Sequence, residues 1–155
     1  MATKKAAFGA GCFWGVEEAF RTLAGVKETA VGYMGGSTDN PTYKEVCTDR
    51  TGHAEVVQVA YDPEEISYAA LLEAFWNCHD ATQVNRQGHD VGTQYRSVIF
   101  CHDEKQKKAA QESKKKQQQK NGKAIATAIV QAKEFWRAEE YHQKYLMRRG
   151  INVCH

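Results

Sequence analysis

The pentapeptide Gly11-Cys12-Phe13-Trp14-Gly15 concentrates reactive and apolar groups at one point of the chain. A thiol reacts as its thiolate. Cys12 falls where a short strand over 4–8 runs into a helix whose apolar stripe is Phe13, Val16, Phe20 and Leu23. At a helix N-terminus the unpaired N–H groups and the positive end of the dipole are expected to favour thiolate over thiol. Phe13 and Trp14 can form an apolar cup for a small nonpolar group, and the flanking glycines let a substrate approach the backbone closely.

Proton and hydrogen-bond donors stand elsewhere in the chain. A strand over 54–61 puts Glu55 on the same side as Val57, Val59 and Tyr61, the more apolar face, so its carboxyl should point inward. Burial favours the neutral acid, which can give a proton to an oxygen that gains charge. Tyr43 and Tyr95 adjoin polar, glycine-bearing loops and offer phenol hydroxyls to that same oxygen. Asp90 lies in the polar stretch 79–94, where an aspartate ordinarily caps a turn.

These groups are scattered, so the fold must collect them. After the first strand and helix, with Gly25 as a stop, a second strand is expected over 26–34, then a turn-rich loop over 35–41 and the strand over 54–61. Ser67 caps a helix with the stripe Tyr68, Leu71, Leu72 and Phe75. The stretch 79–94 is long and polar enough to read as a functional loop, and 95–101 alternates like a strand. A lysine-rich helix ending at Asn121-Gly122, a strand within 125–130, a short helix over 138–146 and a Gly150-containing tail complete the order. The expected class is α+β: a ferredoxin-like split βαβ plait with an additional helix and strand and an irregular C-terminal tail.

A chain of 155 residues fits one domain, 1–155, with 147–155 as a mobile tail. Its net charge of +2 does not by itself indicate a nucleic-acid or membrane-surface protein. Eight lysines between Asp103 and Lys123 face three acids, but without interleaved aromatics they describe a solvated helix. No apolar run reaches the length of a membrane span, and 1–11 lacks a signal core, so a cytoplasmic location is expected. Five cysteines, an odd number in a chain able to build its own core, argue against a disulfide framework.

Read together, Gly11-Cys12-Phe13-Trp14-Gly15, Gly32-Tyr33-Met34-Gly35-Gly36, Asn40-Pro41-Thr42-Tyr43, Thr51-Gly52-His53-Ala54-Glu55, Asn85-Arg86-Gln87-Gly88 and Gly92-Thr93-Gln94-Tyr95-Arg96-Ser97 resemble the peptide methionine sulfoxide reductase A family. The resemblance runs from the first strand to the tail. It implies Cys12 as nucleophile, Phe13 and Trp14 as the pocket for the substrate methyl, and Glu55 as the acid facing the sulfoxide oxygen. Tyr43 and Tyr95 match donors to that oxygen, Asp90 the polar residue beside them, and Cys154 the resolving thiol. It further implies selectivity for the S epimer, free and protein-bound methionine sulfoxide as substrates, a sulfenic acid intermediate, a disulfide and thioredoxin as reductant. Neither a cofactor nor a metal is called for, and a monomer is expected. Two positions depart from the family's pattern: Ala81 where a proline is usual, and Ala128 where a glutamate is.

Two other chemistries compete. Cys12 with His53 as base would make a cysteine hydrolase, but that leaves Glu55, the tyrosine pair and a second thiol without roles. Cys78-His79, Cys101-His102 and Cys154-His155 invite a zinc cluster, against the close ligand spacing such sites usually show. Cys47, Cys78 and Cys101 are read as small packing groups, Cys47 standing near the site.

Overall fold

In a computed structural model that describes residues 3–150, the run Ala6–Ala10 of β1 (Lys4–Ala10) is buried throughout and lies inside a six-stranded sheet. β3 (Ala54–Tyr61) and β6 (Ser97–Cys101) flank β1, both antiparallel to it, and β2 (Val26–Met34) pairs on the far side of β3. Between these strands run α1 (Phe13–Arg21), from β1 to β2, and α3 (Tyr68–Asn77), from β3 towards β6. The spatial order β6-β1-β3-β2 is the split βαβ plait that the alternation of elements predicts. The additions are β7 (Ala128–Gln131), parallel to β6 at one edge, and β8 (Trp136–Arg137), antiparallel to β2 at the other.

One face of the sheet carries the main core. Phe8, Phe13, Val16, Phe20, Val57, Val59, Leu71, Leu72 and Phe75 pack together there, with Phe8 stacked on Phe20 at 4.9 Å. On the opposite face Ala7, Met34, Ala54, Val56, Val98 and Phe100 form a smaller cluster under Ala132 and Phe135. Two covered faces explain why β6 is buried along all five residues rather than alternating.

Helix starts follow their capping chemistry. Ser67 Oγ accepts from Ala70 N in α3, Asp103 accepts from Gln106 N in α4 (Glu104–Lys120), and Thr42 with Glu45 forms a capping box on the four-residue α2 (Tyr43–Val46). α1 differs, because Cys12 occupies its N-cap position and no side chain of that residue bonds the first turn. Gly11, at φ 103°, turns the chain from β1 into that position.

Several boundaries differ from expectation. α1 ends at Arg21, so Leu23 packs on the core from beyond the helix. Tyr95 lies in a 3-10 turn over Thr93–Tyr95 and the strand starts at Ser97. The polar stretch 79–94 contains a small hairpin of β4 (Arg86–Gln87) and β5 (Asp90–Val91). Ala81, at the position of the usual proline, is buried and its carbonyl accepts from Ala126 N.

The expected helix over 138–146 is instead a 3-10 turn at Glu140–His142 and a separate α5 (Tyr145–Arg148). Gln143 causes the break. Its Oε1 accepts from Val31 N, while its Nε2 donates to the carbonyls of Val31 and Ala138. The side-chain amide thus takes the place of a neighbouring strand on the edge of β2, beyond the short β8. Lys144 follows at φ 52° and its N–H donates to the buried Glu17. Residues 151–155, with Cys154, lie outside the described residues.

Gln143→Leu removes this substitute strand and leaves the Val31 N–H and the Ala138 carbonyl without their Gln143 partners in the interior, while the Val31 carbonyl keeps the Ala138 N–H. A loss of at least ~2 kcal/mol of unfolding free energy is expected, since each buried orphan costs roughly 1–3 kcal/mol. Urea denaturation of the variant beside the parent measures it.

Candidate active site

Glu55 is 1% exposed and paired in register with Tyr33 across the β2–β3 ladder. Its Oε1 accepts the Phe13 N–H at 3.1 Å, occupying the place a capping side chain would take on α1. Its Oε2 is buried without a hydrogen-bond partner among the described residues. Burial, opposed by the Phe13 N–H and reinforced by the negative field of Asp90, pushes the Glu55 carboxyl up to about 8. The acid is therefore neutral near pH 7 and holds a transferable proton.

Cys12 contradicts one expectation. Backbone N–H groups of Trp14 and Gly15 do favour its thiolate, as a helix N-terminus should. Burial, with the negative fields of Glu55 and Asp90, outweighs them and pushes the thiol up to about 12. A few aligned N–H dipoles do not repay the lost hydration of a thiolate beside two carboxyl groups. Cys12 rests as a protonated thiol.

Aromatic rings wall the space beside this pair. Phe13 is fully buried, with Tyr33 at 5.7 Å, Tyr43 at 6.3 Å and His142 at 5.2 Å. Trp14 is half-buried and stacks on Tyr145 at 4.0 Å, nearly parallel, with Tyr43 at 6.4 Å. Tyr43 and Tyr95 are half-buried, and burial together with the field of Glu55 raises both phenols, so each keeps its proton as a donor. Asp90, on β5, stands near enough for its negative charge to raise Tyr95 as well as Cys12 and Glu55. The turn carrying Tyr95 is tied to Asp49 through the Thr93 N–H and hydroxyl, and Arg96 clamps it to the Gly52 carbonyl. Seven of the eight residues singled out in the sequence thus converge, and Cys154 lies outside the described residues.

Cys47, at the C-cap of α2, is exposed, with its thiol against the Tyr43 hydroxyl, and is not a packing group. Four residues at the site were not singled out in the sequence. Glu139 accepts from Tyr33 Oη and Tyr43 N, both at 2.9 Å, and these donors hold its carboxyl below the usual range despite burial. His142 accepts the Trp14 indole N–H at Nδ1, Tyr145 stacks on that indole, and Tyr33 backs Phe13. The cluster Glu139-Glu140-Tyr141-His142 with Tyr145 was the available signal, hidden by reading 138–146 as an ordinary helix.

His53 has no free nitrogen for a thiol. Its Nδ1 accepts from Gly36 N and its Nε2 donates to the Thr38 carbonyl, which removes the base a cysteine hydrolase would need. The Cys-His pairs form no metal-binding group among the described residues. His79 instead bonds the Phe75 carbonyl and Ser97 Oγ.

The arrangement is a thiol beside a protonated carboxyl, two phenol donors and an apolar wall, on a plait. The profile of the peptide methionine sulfoxide reductase family matches residues 4–155. A peptide methionine sulfoxide reductase MsrA of Methanoculleus marisnigri is 62% identical over 153 residues, 97% of this chain and 93% of that one. Among solved structures, the reduced form of Mxr1 from Saccharomyces cerevisiae superposes with a TM-score of 0.91 at 40% identity, over 96% of this chain and 86% of that one. Mxr1 in complex with Trx2 matches at 0.67 and 28% identity, over 92% and 84%. The chain belongs to the peptide methionine sulfoxide reductase A family, and it is an oxidoreductase acting on methionine sulfoxide.

With its thiol held at about 12, free Cys12 should be alkylated by iodoacetamide slowly at pH 7, the rate still climbing beyond pH 9. In Glu55→Gln the climb should shift to lower pH, because the charge that Glu55 acquires above about 8 is one cause of the raised thiol. Peptide mass spectrometry follows Cys12 separately from the exposed Cys47.

Proposed function

We propose that Cys12, Glu55, Tyr43, Tyr95 and Asp90 carry out reduction of the S epimer of methionine sulfoxide, with Phe13 and Trp14 receiving the substrate methyl. The observation that carries this reading is the buried, protonated Glu55, whose second oxygen is unpartnered beside a thiol. Cys12 sulfur attacks the sulfoxide sulfur while Glu55 protonates the departing oxygen, which the two phenols hold. The oxygen passes to Cys12 as a sulfenic acid, methionine leaves, and the thiol proton returns to Glu55. Cys12 is oxidised by two electrons and the sulfoxide is reduced by two.

Cys154 then displaces water from the sulfenic acid to form a disulfide with Cys12. This role rests on the family resemblance, since Cys154 lies outside the described residues. Thioredoxin reduces the disulfide, a reading supported by the complex of the related Mxr1 with Trx2. A thiol cycle of this kind suits a monomeric, single-domain enzyme of the cytoplasm.

Separated epimers of a methionine sulfoxide peptide, with a dithiol supply, test the scheme. The S epimer should turn over, the R epimer should not, and Cys12→Ser should abolish turnover of the S epimer. Glu55→Gln should slow single-turnover methionine formation about 10²–10⁴-fold. Equal rates on both epimers would refute the pocket assignment.

Cys154→Ser should release about one methionine per active site and then stop when thioredoxin is the sole reductant. A small dithiol, attacking the sulfenic acid directly, should partly restore turnover. Undiminished turnover with thioredoxin would transfer the resolving role to another thiol, Cys47 first.

A further inference from the structure

Both polar groups of the Thr93 backbone are fastened to the same stretch of chain. Asp49 accepts the Thr93 N–H at 3.0 Å and the Thr93 hydroxyl as well. Arg96 donates to the Thr93 carbonyl at 2.9 Å and to the Gly52 carbonyl at 3.0 Å. The turn that ends at Tyr95 is thereby tied to residues 49–52, which lead into β3 and Glu55. Upstream, the Asp49 N–H donates to the Val46 carbonyl, at the end of the helix α2 that Tyr43 begins. One segment thus carries a phenol and the acid, and takes hold of the second phenol through Asp49. The backbone of Asp49 lies at φ 64°, a region that glycine enters without steric cost and that aspartate tolerates. A bend needing only that backbone would be met by glycine. The carboxylate adds two charge-assisted hydrogen bonds to a residue 44 positions away.

We propose that Asp49 is a positioning residue that sets the rate of sulfoxide reduction by fixing, through Thr93, where the Tyr95 hydroxyl meets the substrate oxygen. The inference rests on the reading of Tyr95 as a donor to that oxygen. A loosely held phenol can still follow an oxygen in the bound substrate. The transition state gains most from a donor that is already in place, because no reorganisation is then needed as charge develops. Loss of the tether should therefore appear in the rate and leave substrate affinity nearly unchanged.

Single-turnover methionine formation from the S epimer, over a range of substrate concentrations, tests this for the parent, Asp49→Gly, Asp49→Asn, Thr93→Val and Tyr95→Phe. Asp49→Gly and Thr93→Val are also each combined with Tyr95→Phe. Glycine suits φ 64°, so Asp49→Gly removes the carboxylate and keeps the bend. Its maximal rate should fall about threefold to thirtyfold, with the half-saturating concentration within about twofold of the parent. Asp49→Asn accepts the same backbone and keeps an acceptor oxygen, so it should recover most of the rate. Thr93→Val keeps the N–H and loses the hydroxyl, and its rate should lie between those of the parent and Asp49→Gly. In the Tyr95→Phe background neither change should cost anything further, because the tether then has no hydroxyl to place.

The parent rate in Asp49→Gly would overturn the proposal, as would equal falls in Asp49→Gly and Asp49→Asn. A full further fall in the Tyr95→Phe background would overturn it too, since the effect of Asp49 would then not pass through that hydroxyl. If Asp49→Gly does not fold, Thr93→Val with and without Tyr95→Phe decides alone. Tyr95→Phe separates the two levels. A slowed Tyr95→Phe with an unaffected Asp49→Gly overturns only the role of Asp49, whereas an unaffected Tyr95→Phe overturns the reading of Tyr95 itself.

Discussion

The hydrogen bond from the Phe13 N–H to Glu55 Oε1 joins the start of α1 to the central strand β3 across 42 residues of sequence. One carboxyl oxygen thus caps a helix that has no side-chain cap of its own, and the other oxygen is left for chemistry. The β1–β3 register, with Phe8 opposite Val57, is what brings the β1–α1 turn to this part of β3. Cys12, one residue before Phe13, has its position fixed by the same contact. A slip of one residue in this ladder would turn Glu55 to the opposite face and separate acid from thiol.

The bond exists inside a core that disfavours charge. Glu55 is held at about 8 and Cys12 at about 12, so near neutrality both carry their protons. Because the folded value of Glu55 lies above its unfolded value near 4.3, its protonated form contributes stability fully below about pH 4. That contribution is lost as pH rises through about 8. The same burial that keeps the Glu55 acid protonated also restrains the Cys12 thiol.

A clasp formed by residues 138–145 closes the aromatic side of the site. Glu139 fixes the N-terminus of α2 and hence Tyr43, His142 and Tyr145 hold Trp14, and Gln143 binds the edge of β2. Lys144 N then donates to Glu17 of α1, so the clasp reaches both the helix and the sheet on which the site stands. No regular element would do this, because successive residues must bond in different directions and the backbone turns at Lys144 through a positive φ.

The sequence alone determined the plait and most of the site. Apolar period and turn residues located β1, α1, β2, β3 and α3, and strand parity was enough to send Glu55 inward beside Val57 and Val59. Such features are local, set by which face of one element meets the core. Tertiary structure decided the rest. Cys12 looked activated from its helix position, yet its protonation follows from burial and from carboxyl groups on β3 and β5 that local spacing cannot place against it. Residues 138–146 looked helical, yet the unfilled edge of β2 drew Gln143 into its hydrogen-bonding row and divided the segment. Both outcomes depend on summed interactions between segments distant in sequence, where desolvation and unpaired backbone groups outweigh the preference of any single element.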